Sequence, residues 1–117
     1  MVVEKETDLM SIEKARAFDG VYLVLGELTR SGALEEEQKK RLETLKATIE
    51  KRSKAKADEI ILALNPTTYG DITASLIQRE LAPFAKKISQ LGRGIPTGGE
   101  IEFADEETLT HSLLRRE

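Results

Sequence analysis

Cysteine and tryptophan are absent from the chain, histidine occurs once, and only three prolines and five aromatic rings, two Tyr and three Phe, are spread over 117 residues. Without cysteine there is no disulfide framework and no Cys-rich zinc site, so the fold has to be held by its core. The lone histidine, His111, lies in the last predicted helix, away in sequence from any serine on a nucleophile turn. It forms no visible triad and reads as a surface or interface side chain. No apolar run approaches the roughly 20 residues that a membrane span requires, and the acidic start lacks the basic and apolar regions of a signal peptide. The expectation is a soluble, cytoplasmic protein with no membrane contact. Net charge is −3, from 18 basic and 21 acidic residues, too small and too mixed to draw the whole surface to nucleic acid or an anionic membrane. The length is adequate for one core that buries roughly 65% of the unfolded surface without staples.

What the chain does have is rhythm. Apolar runs alternate with helical patterns, which predicts β, α, β, α, β, α, β and parallel strands covered by crossover helices. The strands are predicted at Val2 to Glu4, Val21 to Leu25, Glu59 to Leu64 and Lys87 to Leu91, short and apolar as strands buried on both faces should be. Thr7 or Asp8 is suited to cap a first helix running to about Ala17. A second helix, about Leu34 to Ser53, sets Leu34, Leu42, Leu45 and Ile49 along one side. Its acidic start and basic end complement the helix dipole, so the charge bias there needs no ligand. A third helix begins near Asp71, is expected to bury Ile72, Leu76, Ile77 and Leu81, and is stopped by Pro83.

Beyond Leu91 the rhythm breaks. Gly92-Arg93-Gly94-Ile95-Pro96-Thr97-Gly98-Gly99 is a loop or arm, not a helix or central strand. It lacks the Gly-Lys-Ser/Thr ending of a phosphate-binding loop. Ile101 and Phe103 alternate with Glu100 and Glu102, which suggests a further edge strand, and Asp105 is suited to cap a last helix bearing Leu109, Leu113 and Leu114. The division expected is a domain over residues 1–98 and a strand and helix arm over 99–117, the latter able to reach a second copy through Ile101, Phe103, Leu109 and Leu113.

The densest local signal is Asn65-Pro66-Thr67-Thr68-Tyr69-Gly70-Asp71, directly after the apolar run Ile60 to Leu64, where strand, turn and helix start meet and open α/β sheets bind ligands. A second acidic strand end, Val2-Val3-Glu4 with Asp8 four residues on, is placed to lie beside it. Phosphoryl transfer through Mg²⁺ needs clustered carboxylates there. Glu4 suits that task, but Asn65 and Thr67 are neutral oxygens, and Asp71 at a helix start serves the dipole more readily than a metal. Ile101 to Glu106 has the outline of an apolar strand ending in two acids, with helix capping by Asp105 the simpler role. For nucleic acid the candidates are Lys51, Arg52, Lys54, Lys56, Arg93, Arg115 and Arg116. No stacking platform accompanies them, so weak, salt-sensitive binding is the most expected. Tyr69, read as lying in an exposed turn, is suited to anchor a protein partner or to cover its own strand end.

Several motifs stand in one order along nearly the whole chain. They are Val2-Val3-Glu4 with Asp8 and Ile12-Glu13, Gly20 to Gly26, Ile60 to Gly70 with Thr73-Ala74, and Arg93 to Glu100 with Ala104-Asp105-Glu106 and Thr108-Leu109. In that order they resemble the C-terminal part of the RecR family of bacterial recombination mediators, whose central unit is a Toprim domain. The resemblance implies an α/β, Toprim-like fold: a small parallel sheet of about four strands flanked by helices, with a C-terminal arm. It also implies a non-catalytic interaction and oligomerisation role in recombinational repair, with RecO- and RecF-type mediators as partners, loading RecA onto single-stranded DNA, and no cofactor. Glu4, Asp8, Asn65 and Thr67 would be the vestige of the Toprim acidic site, with weak Mg²⁺ at Glu4 the most it could retain. Family members often carry acids on both sides of the glycine matched by Gly70. Here Tyr69, Gly70 and Asp71 would form that partner contact. The family's N-terminal helix-hairpin-helix and four-cysteine region have no counterpart in these residues, and Leu28 to Ala33 replaces its Pro- and Gly-rich loop. Two alternatives remain open: a small Mg²⁺-dependent Toprim nuclease or related enzyme, and a purely structural self-association domain.

Overall fold

The computed structural model describes residues 1–53, 56–92 and 98–116. In chain order the elements are β1 (Val2–Val3), α1 (Glu6–Ala15), β2 (Leu23–Val24), α2 (Glu36–Ser53), β3 (Ile60–Ala63), α3 (Thr68–Leu81), a 3-10 turn (Ala82–Phe84), β4 (Ile88–Gln90), a second 3-10 turn (Ile101–Phe103) and α4 (Glu106–Leu114). The predicted succession of strands and helices is present, each strand shorter than the apolar run that signals it. Lys54 and the Arg93 to Thr97 stretch lie outside the described residues, as does Glu117.

All four strands are parallel, in the order β2-β1-β3-β4. Val2 and Val3 pair with Leu23 and Val24 on one side and with Leu62 and Ala63 on the other, while Ile60 to Leu62 pair with Ile88 to Gln90. The chain therefore winds outward from β1 to β2, returns to β3, and winds outward the other way to β4. The carboxyl ends of β1 and β3 flank the point where the winding reverses.

Side chains alternate across the sheet. Val2, Ile60 and Leu62 join Leu42 and Ile49 of α2 and Ala74, Ile77 and Leu81 of α3 in the main core. Val3 and Ala63, also buried, point to the opposite face. The two central strands are thus apolar on both sides. Leu34 and Leu45 pack against the core beside Leu42 and Ile49, as the predicted stripe on α2 requires. Gln38, buried on that helix, donates to the Glu27 carbonyl at 2.9 Å and accepts from the Glu35 amide at 3.0 Å.

Several expectations are corrected. The first helix is not capped by Thr7 or Asp8 but starts after Lys5, and Asp8 reaches back from the first turn to accept the Lys5 amide at 3.1 Å. It ends at Ala15, with Arg16 turned left-handed at φ 53°. On α3 the helix begins three residues before Asp71, at Thr68, and Ile72 is 45% exposed and Leu76 only half-buried. Ile77 and Leu81 are buried as expected, and Gly70, Thr73 and Ala74 complete the inward stripe in place of Ile72 and Leu76. Small and polar residues hide that face from a reading by apolarity. Finally, Ile101 to Phe103 is no edge strand. A strand needs a neighbour for its amides, and here the bonds close locally instead, Phe103 donating to Glu100 and Ala104 to Ile101, both at 3.1 Å. Asp105 does cap α4, accepting the Thr108 amide at 2.6 Å, and that bond holds its carboxyl below the usual aspartate range.

Lys46 ties α2 to α3. Its ammonium lies 2.9 Å from Glu43 and 2.8 Å from Glu80 and sits 5.6 Å above the Phe84 ring. Hydrogen bonds to Glu80 and Glu43 raise the Lys46 pKa above 10.5, and the same bond to Lys46 lowers that of Glu80 below 4.5. The raised lysine contributes fully below 10.5 and loses its contribution as pH climbs through the higher folded value. The depressed glutamate contributes above 4.5 and loses it as pH falls through the lower folded value. Lys46→Met is therefore expected to melt below the parent throughout that window. The difference shrinks on acidification through the Glu80 transition, as followed by circular dichroism melts at stepped pH.

Candidate functional site

β1 and β3 deliver their last residues to the reversal point of the sheet. Glu4 follows β1 directly, and its backbone carbonyl still accepts the Gly26 amide at 2.9 Å, so the ladder fixes where the side chain starts. That side chain is 7% exposed. One carboxylate oxygen accepts the Leu28 amide, from the β2–α2 loop, at 3.3 Å, and the other accepts the Asn65 side-chain amide at 2.5 Å. A buried carboxylate with two N–H donors is a satisfied one. Glu4 and Asn65, 61 positions apart, are brought together as the sequence suggested.

Thr67 is otherwise engaged. It is the N-cap of α3, its hydroxyl accepting the Gly70 amide at 3.0 Å and its carbonyl the Asp71 amide at 2.9 Å. Asp8 is occupied with the Lys5 amide. A Toprim-type cation site at these four positions would need several hard, anionic oxygens converging on one point. Two of the positions are neutral, one acid faces an amide nitrogen and the other is turned back onto the Lys5 amide. The donor set does not fit a divalent ion, and among the described residues no group of three or more His, Asp or Glu does.

The positions expected to form a partner contact are less exposed than a free turn. Tyr69 and Asp71 are half-buried in the first turn of α3, and Gly70 is buried. A Cβ at Gly70 would run into the Asn65 carbonyl, so glycine is required there by close approach and contributes shape, not contact. The Tyr69 carbonyl is 3.0 Å from the hydroxyl of buried Thr73, which also lies 2.8 Å from the Gly32 carbonyl. Thr73 thereby pins the β2–α2 loop onto α3. Gly32 is left-handed at φ +78°, and a Cβ there would meet Ile72 at 2.6 Å. The sequence places Thr73 and Gly32 within motifs without assigning either a role. The available signal was a threonine at inward spacing from Gly70 and Ile77, facing a lone glycine in a polar loop.

Beside this hub a cleft of about 280 Å³ opens between Ile12 and Asp8 of α1, the Asn65-Pro66 turn, Ala74 of α3 and Leu91 after β4. On the arm, Ile101, Phe103 and Leu113 are 70%, 80% and 63% exposed, while Leu109 is half-buried. The described basic candidates fall at the ends of two different helices, Lys51 and Arg52 on α2 and Arg115 and Arg116 just after α4, with Lys56 before β3. His111 lies on α4 beside Arg115.

Replacing Thr73 by Val keeps the shape and removes the proton that serves Gly32. The expected loss is about 1–3 kcal/mol for an unmet buried carbonyl, read as a lower urea midpoint. Gly32→Ala, strained in backbone and blocked by Ile72, is expected to fall further.

Comparison with known proteins matches residues 1–92 to the Toprim domain and residues 94–117 to the RecR C-terminal segment. Proteins named "Recombination protein RecR" are similar over 98% of the chain. The one from Prochlorococcus marinus is 41% identical over 115 residues, which is 56% of its own length. That from Chloroflexus aggregans is 40% identical over 116 residues and 55% of its length, and that from Novosphingobium aromaticivorans 38% over 115 residues and 57%. The chain spans about half the length of the curated relatives it matches. With its four parallel strands, its reversal-point acid and its C-terminal segment, the chain belongs to the Toprim family, in the form that RecR proteins carry.

Proposed function

We propose that this chain is a non-enzymatic interaction module for recombinational DNA repair, working beside RecO- and RecF-type mediators. The observation that carries the reading is the closed contact of Glu4 with Asn65. It occupies the place where an open α/β sheet presents its chemistry and leaves no carboxylate pair to gather a metal. The site's surface then serves contact, with Tyr69 as its aromatic anchor and the Thr73–Gly32 bond holding the neighbouring loop in register. No cofactor is required, and nucleic-acid binding by these residues is weak.

In a pull-down and titration with a purified RecO-type mediator, Tyr69→Ala is expected to weaken binding by about tenfold, the scale of a modest hot spot. Mg²⁺-dependent DNA cleavage, relaxation or primer synthesis that disappears in Glu4→Ala would reverse the assignment in favour of an enzyme.

A second role, self-association through residues 99–117, is favoured by the arm itself. α4 carries no buried residue, and Ile101, Phe103, Leu113 and Leu114 expose most of their apolar surface. Light scattering is expected to show a dimer that becomes monomeric or insoluble when Ile101 to the chain end is deleted. A dimer that survives the deletion rules the arm out. A dimer with no affinity for a RecO-type partner would leave self-association as the whole function.

A further inference from the structure

The ion pairs among the described residues do not include Glu4, although its carboxylate is buried. A desolvated carboxylate must be met by a cation or by hydrogen-bond donors. Here it is met by two donors, and one of them is a side chain, Asn65, delivered from another strand. The orientation of that amide follows from chemistry: a carboxylate oxygen only accepts, so the nitrogen of Asn65 faces it.

We propose that the Asn65 amide is a fixed substitute for a site cation. It supplies the positive end that Glu4 needs, and so makes the reversal point indifferent to divalent ions. The property resides in this pair of side chains and does not depend on which partner the domain meets, so it stands or falls separately from the function proposed above. A carboxylate at position 65 would face Glu4 at hydrogen-bond distance, and two like charges that close demand either a shared proton or a bridging ion. Exchanging the two groups would restore the contact. A glutamine at position 4 turns its oxygen to the Leu28 amide and its nitrogen to the new acid.

The test is thermal unfolding of the full chain at neutral pH, with and without millimolar MgCl₂ or MnCl₂, for wild type, Asn65→Asp, Glu4→Gln and the double exchange. Asn65→Asp is expected to lose roughly 5 °C or more without divalent ions and to regain much of it on adding them. Wild type and the double exchange should not respond to the ions, and the double exchange should recover at least half of the loss. If Asn65→Asp fails to fold while the double exchange folds, the proposal stands. It is overturned if wild type is stabilised by the ions and Glu4→Gln abolishes the effect. It also fails if Asn65→Asp melts like wild type or is not rescued by divalent ions when folded, or if the double exchange fares no better than the single.

Discussion

Two residues, Val2 and Val3, carry the sheet. They are the only part of β1, yet they pair with β2 on one side and β3 on the other and are 1% and 0% exposed. A parallel ladder this short has few hydrogen bonds, so its persistence rests on burial of both faces. That condition dictates the layers. α2 and α3 close the face of Val2, Ile60 and Leu62, and the opposite face of Val3 and Ala63 has to be closed as well. It also dictates where the termini of β1 and β3 emerge, side by side at the reversal point. Glu4 and Asn65 meet because Val3 and Ala63 are register partners.

This dependence explains which parts of the molecule were legible in the primary structure. Apolar runs such as Ile60 to Leu64 and the Leu42-Leu45-Ile49 stripe announce themselves, since burial selects their composition directly. Strand order does not, because the same short runs would serve in several arrangements. The inward face of α3 was legible only at Ile77 and Leu81. It is made by Gly70, Thr73 and Ala74 as much as by Ile77 and Leu81, and close approach and a hydroxyl bond replace bulk there. The arm misled for the opposite reason. Ile101 and Phe103 alternate with acids as a strand would, but alternation is a property of one chain, whereas a strand requires a second.

The site shows a similar division. That Glu4 would lie near Asn65 followed from two acid- or amide-bearing strand ends, and neutrality at Asn65 and Thr67 already spoke against metal chemistry. What the sequence concealed was how completely each polar group is used. Thr67 caps, Asp8 reaches back to the Lys5 amide, Thr73 clasps a loop, and Glu4 divides its two oxygens between a loop amide and a side-chain amide. Every one of these bonds joins segments far apart in sequence or local to a helix start, so the hub is a mechanical junction of β1, the β2–α2 loop and α3.

α4 stands outside that junction. Capped by Asp105 but with no buried residue, it has little to lose when its own backbone opens, whereas the amides of β1 and β3 are released only when the sheet comes apart. One chain therefore carries two stability scales. In hydrogen exchange the arm's protons are expected to leave quickly and without cooperation, and those of the central strands to wait for global unfolding. Slowed exchange confined to α4 would report that something has come to rest on it.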